Sequence, residues 1–457
     1  MSEMSTKDSK HGFSLTSSFF ISHGFTFYAL LFGAYLYCEV AFHRELNLDL
    51  SVIIIVFCSF LILSKIKNNY IIFLGYFWVW WAVIGVTNSA SWSYIYSNQD
   101  LDVERSVFIY FFYICVFLLG ALFTGGDNKI EAIEKFTIHP LWSIVILVYP
   151  FLMIAESYLR IGYIPILISG DITDLMYNLN YGLLYNYKAC MIVSVLLCMK
   201  YIKINLDSNN KTKFFVFIFL LFIYLLISLF DGKRVMFLAS LLVIAGFLFK
   251  VNGRDFVKKY SVYFALLIVF VYVFIALSRG GNSFGENGIH DVFYSIGVEF
   301  RDYVWTVTNY EPGEITGYSW ALSSIGSFIN GGVLTFLGFD KSELVSMDSA
   351  RSWMYLFEIE LGIRTGIVSE LWFDYGYAGV IVIFIFGLLL GKVCRSLQSE
   401  TKFVGFMFYV CLYAFIVLLI MGQSSVFFGF SITLVYLLIT MKMFDLIFPF
   451  GKKSELL

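Results

Sequence analysis

Long apolar runs separated by short polar connections make up almost the whole of this 457-residue chain. A helix needs about 20 mostly apolar residues to cross a bilayer. A window of that length predicts about twelve transmembrane helices, near residues 17–39, 49–64, 70–88, 106–125, 141–159, 183–200, 214–230, 235–250, 261–278, 371–394, 404–422 and 427–447. The pattern therefore predicts an all-α polytopic membrane protein with a single transmembrane domain over residues 1–457.

The distribution of basic residues agrees with this number of spans. Every second connection, counted from the N-terminus, is rich in lysine and arginine, and together these connections hold 20 of the 31 basic residues. The other 11 lie in the alternate connections or near the ends of spans. Because basic loops stay in the cytoplasm, we expect both termini to be cytoplasmic.

Composition excludes several classes of protein. Hydrophobic residues make up 59% of the chain and charged residues 14%, with a mean hydropathy of +0.80, whereas a soluble domain has about 25% charged residues. The net charge of −2 argues against a nucleic-acid partner. The seven cysteines lie in or beside apolar runs and the five histidines are scattered, so we expect no metal site.

One long polar interval, residues 279–365, falls between two predicted spans on the outer side of the membrane. It carries Arg279, Arg301, Arg351 and Arg364, which points to an anionic, phosphate-bearing substrate. Within it, Asp291 to Tyr310 has apolar residues at helical spacing and predicts an amphipathic helix lying in the membrane interface. A second, glycine-punctuated element follows over residues 317–340.

Two shorter outer segments also carry arginine. Arg160 opens the stretch 160–182, which is either a simple connection or one wall of an outward-facing cavity. The turn from Asp231 to Arg234 is too short to reach far into water, so Arg234 lies at or below the membrane surface. It either pairs with Asp231 or binds a lipid-linked pyrophosphate at headgroup depth.

Glu370 and Asp374 stand four residues apart at the start of the tenth predicted span and share one helix face. A carboxylate there can accept a proton from an attacking sugar hydroxyl, or it can orient an arginine. The alternative is an ion pair with Arg364 or Arg351. Both interpretations stay open for Glu370, whereas the ion pair is favoured for Asp374.

Four of these features occur together in one known family. They are Gly-Tyr-Ile-Pro at 162–165, Gly-Lys-Arg at 232–234, the pair Gly331-Gly332 in the large loop, and Ser-Glu-x4-Tyr-Gly-x2-Gly at 369–379. In this combination, over roughly residues 140–395, the chain resembles the O-antigen polymerase (Wzy) group of bacterial polysaccharide repeat-unit polymerases. The resemblance is one of layout and short motifs.

The resemblance implies a metal-independent glycosyltransferase of the GT-C type in the bacterial inner membrane, without a cofactor, acting in lipopolysaccharide biosynthesis. Such an enzyme moves a growing O-antigen glycan from its undecaprenyl pyrophosphate onto a fresh lipid-linked unit at the periplasmic face. Its implied partners are the lipid-linked glycan, the bilayer, a chain-length regulator protein and a flippase. The segment 279–365 is then a large periplasmic loop with amphipathic helices.

Carried over to this sequence, the family pattern suggests catalytic roles for Arg234 and Glu370. Related O-antigen ligases place an arginine of a similar turn on the pyrophosphate, and Arg234 matches it. Their histidine base has no counterpart, because no histidine follows His290, and Glu370 is the substitute candidate. The expected substrate-binding residues are Arg160, Arg279, Arg301, Arg351, Arg364 and Asp374.

Three other functions compete with this one. A flippase or other transporter typically shows inverted repeats, discontinuous helices and charges near mid-membrane, and the sequence shows no internal repeat. An O-antigen ligase is disfavoured by the missing histidine. A scaffolding membrane protein has no use for four arginines in one loop.

Overall fold

The computed structural model describes residues 48–87, 102–126, 130–133, 138–163, 184, 188–230, 235–253, 298–314, 338, 366–421 and 424–447. The predicted spans at 17–39 and 261–278 lie outside these ranges, as do Arg234, Arg279, Arg351, Arg364 and most of the large loop. For Arg301 only the backbone is described.

Most of the described residues are helical, and their helices are numbered here in chain order. They are α1 (Leu48–Lys65), α2 (Asn69–Thr87), α3 (Val103–Thr124), α4 (Pro140–Ile161), α5 (Ala189–Asp207), α6 (Lys211–Ile227), α7 (Val235–Gly253), α8 (Val298–Asn309), α9 (Gly366–Tyr375), α10 (Gly379–Ser399), α11 (Phe403–Met421) and α12 (Ser424–Ile447). A short 3-10 turn, Gly376–Ala378, joins α9 to α10.

Seven of the helical stretches are long and apolar enough to cross a membrane, with α9 and α10 counted as one stretch. The prediction of an all-helical polytopic membrane protein is confirmed at this level for the part of the chain described. The other ten predicted spans all overlap helices, although α1, α2 and α6 are not among these seven.

The most extensive packing joins α3 to α10, and small residues make it possible. A Cβ atom at Gly387 would overlap the backbone of Phe117, and one at Gly391 would overlap Thr124. The Thr124 hydroxyl instead donates a hydrogen bond to the Leu388 carbonyl, at 2.8 Å. Small residues spaced four apart let helix backbones approach closely in lipid, where burial of apolar surface gives no drive to associate. We call this contact the α3–α10 seam.

Helices α3 and α10 run in the same direction, since the start of α3 lies beside the start of α10 and Gly387 and Gly391 face Phe117 and Thr124 in turn. The helix ends gather at two ends of the bundle. At one end Lys200 lies over the Phe403 ring and Lys250 binds the end of α10. At the other end Arg105, in the first turn of α3, contacts Tyr377 at the start of α10. We call these the lysine end and the arginine end, and α4, which starts at the lysine end, brings Arg160 to the arginine end.

Helix α8 lies inside the sequence from which an interfacial amphipathic helix was predicted. Its apolar positions Phe300, Tyr303, Val304 and Val307 are buried, as are Trp305 and Thr306. The helix packs on α2, α3 and α9. Its apolar face therefore meets protein, which the sequence pattern alone did not indicate.

Candidate functional site

The candidate site lies at the arginine end, where α9 precedes the 3-10 turn and α10. Counted together, α9 and α10 span 34 residues, about 51 Å of helix if straight, which exceeds the roughly 30 Å of a bilayer core. Gly376 interrupts this length with a positive φ of 51°, and a Cβ there would meet Pro312. Glycine is needed at that position both for the left-handed backbone and for the close approach.

Glu370 and Asp374 are both buried in α9, with exposed fractions of 0% and 1%. Every residue of this helix from Gly366 to Asp374 is buried, so α9 is surrounded by protein. An ionised carboxylate loses several kcal/mol of hydration on burial unless neighbours compensate, and both side chains do have interacting neighbours. Buried ionisable residues in membrane helices usually have a functional role. We therefore take the carboxylates of Glu370 and Asp374, one helical turn apart, as the centre of the candidate site.

Aromatic side chains occupy the opposite face of α9. Trp372 is two residues from both Glu370 and Asp374, which turns it about 200° away from each. Its ring makes edge-to-face contacts with Tyr303 of α8, at a centroid distance of 6.4 Å, and with Tyr377, at 4.8 Å. The carboxylate face and the aromatic face of α9 are therefore distinct surfaces.

Arg105 completes the aromatic side of the cluster. Its side chain is 14% exposed, its Nε donates to the Tyr377 hydroxyl at 3.0 Å, and Nη2 donates to the same oxygen at 2.5 Å. Asp102 lies 3.9 Å away and caps α3 by accepting from the Arg105 backbone N–H. The sequence interpretation missed this arginine, although a cation in the first turn of a helix opposes the helix dipole and so signals a specific partner.

Two buried donors in the cluster have no hydrogen-bond partner among the described residues, namely the Tyr303 hydroxyl and Trp372 Nε1. Burial raises the pKa of Tyr303 well above its usual range; the phenols of Tyr113, Tyr377 and Tyr110 add to the rise and Arg105 opposes it. The hydroxyl therefore stays protonated at neutral pH. Because buried polar groups are nearly always paired, we expect these two donors to bind an acceptor from another part of the chain, from water or from a ligand.

Hydrogen bonds that involve backbone groups connect the elements around the site. The Asp102 N–H donates to the Thr308 hydroxyl of α8 at 3.1 Å, and the Gly313 N–H donates to the Phe373 carbonyl of α9 at 2.8 Å. The Tyr113 hydroxyl of α3 donates to the Gly376 carbonyl at 2.5 Å. The start of α3, α8 and α9 thus form one connected unit at the arginine end.

Arg160 stands apart from this unit. It forms an ion pair with Glu156 at 3.6 Å, one helical turn earlier, and its side chain is 40% exposed. Its helix α4 packs mainly on α5 and α6, whereas α9 packs on α8, α10, α11 and α12. The structure therefore places Arg160 at the same end as Glu370 but on a different set of helices.

No three His, Cys, Asp or Glu side chains come together to hold a metal ion within the ranges that the structure describes. Comparisons with protein-family models, with curated proteins and with solved structures found no match to this chain.

Proposed function

We propose that this protein polymerises lipid-linked oligosaccharide repeat units, as its resemblance to the O-antigen polymerases implies. The observation that supports the proposal most directly is the pair of buried carboxylates, Glu370 and Asp374, in the helix that precedes α10. They lie in the Ser-Glu-x4-Tyr-Gly-x2-Gly motif on which the resemblance partly depends.

In the proposed reaction, Glu370 accepts the proton of a sugar hydroxyl on the fresh lipid-linked unit. That oxygen forms a bond to the reducing-end carbon of the growing glycan. The bond from this carbon to the pyrophosphate oxygen breaks, and the pyrophosphate leaves on its polyprenyl lipid. Arginine side chains stabilise the negative charge that develops on the leaving group.

The proposed phosphate ligands are Arg234, Arg279, Arg301, Arg351 and Arg364, with Arg160 and Asp374 as further substrate contacts. Arginine suits this role because its planar fork binds phosphate oxygens through two hydrogen bonds at once. Replacing Arg234 or Arg351 with alanine should abolish long polysaccharide chains while single capped units remain on the cell surface. Normal chain-length ladders from both variants would remove arginine from the mechanism.

Two findings favour a second candidate, a transporter of lipid-linked oligosaccharide. The helix from Gly366 to Ser399 is interrupted at Gly376, and discontinuous helices are typical of transporter binding sites. Buried carboxylates in membrane helices also occur in proton relays. The two functions differ in outcome, since a polymerase lengthens the glycan and a transporter only moves it.

A reconstitution experiment separates the two candidates. Purified protein in liposomes receives undecaprenyl-pyrophosphate-linked repeat units together with a metal chelator. A ladder of longer lipid-linked glycans supports the polymerase. Unextended units that become accessible on the opposite side of the membrane, with no ladder, would support the transporter instead.

A further inference from the structure

A large groove opens at the lysine end, on the far side of the bundle from the candidate site. Its volume is about 1970 Å³, well above the roughly 300–1,000 Å³ of sites for small ligands. The starts of α4, α6 and α11 and the ends of α5 and α12 form its walls. We call it the lysine groove.

The lysine groove opens sideways, toward the position of lipid. Its two flanking helices, α4 and α12, are the least buried of the seven candidate spans, at 22% and 33%. Apolar side chains that line it, Ile144, Val435 and Ile439, are 58%, 41% and 50% exposed. Exposed apolar side chains on spanning helices face acyl chains, so the groove is continuous with the bilayer.

The polar lining of the lysine groove is predominantly cationic. Lys200, Lys213, Lys402 and Lys442 contribute four ammonium groups, against the carboxylates of Glu400 and Asp445. Among the described residues, none of the four ammonium groups is paired with a carboxylate within 4.0 Å. The groove therefore carries positive charge that its own acids do not neutralise by contact.

Two of the lining groups are buried without a hydrogen-bond partner in this part of the chain. Lys200 is 4% exposed, and its ammonium group lies over the rings of Tyr201 and Phe403, at 4.8 and 5.5 Å. Ser143 is also 4% exposed, and its hydroxyl has no hydrogen-bond partner within the described ranges. A buried ammonium and a buried hydroxyl on one groove are donors that suit phosphate oxygens.

We propose that the lysine groove binds the headgroup of an anionic phospholipid, with the acyl chains leaving between α4 and α12. Basic pockets between transmembrane helices on the cytoplasmic side are a recognised form of lipid recognition. The sideways opening selects a lipid over a soluble anion. This inference does not depend on the proposed function, because it concerns the opposite end of the bundle.

Native mass spectrometry of the full chain in mild detergent tests the proposal. The probes are palmitoyl-oleoyl phosphatidylglycerol, which is anionic, and the zwitterionic phosphatidylethanolamine with the same chains. We expect phosphatidylglycerol to bind more tightly. Each of Lys402→Gln and Lys442→Gln should weaken it by about fivefold, since a basic residue near a lipid surface contributes about 1 kcal/mol.

Lys203→Gln is the matched control. Lys203 belongs to the same helix as Lys200, but its ammonium group already contacts Asp207 at 2.7 Å and does not line the groove. It should leave binding unchanged. Both groove lysines replaced here are exposed, so the variants should fold, and unchanged thermal midpoints without added lipid verify this.

Three results would overturn the proposal. Equal affinity for the two lipids would remove the headgroup from recognition. Unchanged phosphatidylglycerol binding by the Lys402→Gln/Lys442→Gln double variant would place the lipid elsewhere. Displacement of the lipid by millimolar inorganic phosphate would show that a soluble anion, rather than a membrane lipid, occupies the groove.

Discussion

Both ends of the α3–α10 seam carry buried polar side chains, but the two ends differ in how many of these groups are hydrogen-bonded. At the lysine end, Lys250 donates to the carbonyls of Leu397 and Gln398 at 3.0 and 2.6 Å, and Asn68 bridges Gly125 to the Gln398 side chain with two bonds of 2.8 Å. Gln398 Nε2 is the exception, since it has no partner among the described residues.

At the arginine end, two donors within one aromatic cluster, Tyr303 and Trp372, are left without partners among the described residues. Two carboxylates, Glu370 and Asp374, are buried one turn apart on the opposite face of α9. A helix end that is closed by its own side chains has a structural role. The donors of the aromatic cluster still need acceptors, which the rest of the chain, water or a bound ligand can supply.

The largest effect that separates the two ends is expected from Glu370→Gln. If Glu370 takes the proton of the attacking hydroxyl, the amide removes that step and polymer formation should fall about 10²- to 10⁴-fold. The rate of ladder formation in proteoliposomes measures it. Glu314→Gln, an exposed acid in the turn after α8, is the control and should be near normal. Near-normal activity of Glu370→Gln would exclude it as the base.

The seam itself should be sensitive to side-chain volume. A Val side chain at Gly387 collides with the Phe117 backbone, so Gly387→Val should lower the free energy of unfolding by about 1–3 kcal/mol. A thermal midpoint in detergent reports the loss. Ile385→Val, at a 57% exposed position of the same helix, should change it little. Equal effects of the two substitutions would contradict tight packing at the seam.

The structural role of the lysine end can be tested with Lys250→Met. The substitution removes two hydrogen bonds and leaves the Leu397 carbonyl without its lysine donor, while the Gln398 carbonyl keeps the Glu131 N–H at 2.9 Å; the loss should cost about 1–3 kcal/mol of stability. Activity per folded molecule should be unchanged, because Lys250 is far from the candidate site. A loss of turnover without a loss of stability would mean that this end also serves the reaction.

The smallest expected effects come from removing single tyrosine hydroxyls, one without and one with a hydrogen-bond partner among the described residues. Tyr303→Phe removes a hydroxyl that has no partner among the described residues, so we expect little loss of stability. Tyr413→Phe removes a 2.8 Å bond to the Tyr70 carbonyl and should cost about 0.5–1.5 kcal/mol. If a substrate accepts from Tyr303, its KM should rise about two- to tenfold in the first variant. A KM that does not move would assign the hydroxyl to water.

The sequence predicted helices well because apolar length is a local property. The runs at 106–125 and 404–422, for example, correspond closely to α3 and α11. It predicted the carboxylate pair for the same reason, since Glu370 and Asp374 lie within one helical turn. The burial of both side chains was not foreseen, because it depends on α8, α11 and α12, which are distant in sequence.

Arg105 shows what local patterns leave out. Its partner Tyr377 is 272 residues away, and only the packing of α3 against α10 brings the two together. The break at Gly376 was likewise missed, since the predicted span at 371–394 runs through it. Both features depend on the close packing of α3 against α10. The glycine spacing in α10 suggests that some helix packs closely there, but it does not identify which helix.

The closeness of that seam limits how the candidate site can open. Helices whose backbones touch cannot slide past each other without lifting side chains over carbonyls, so α3 and α10 move as one beam. The ten residues of α9, which hold the two enclosed carboxylates, join the beam through Gly376 and are hydrogen-bonded through Phe373 to the turn after α8. A movement that exposes the carboxylates would therefore have to carry α8 together with α9 and bend at Gly376, whose left-handed backbone other residues resist.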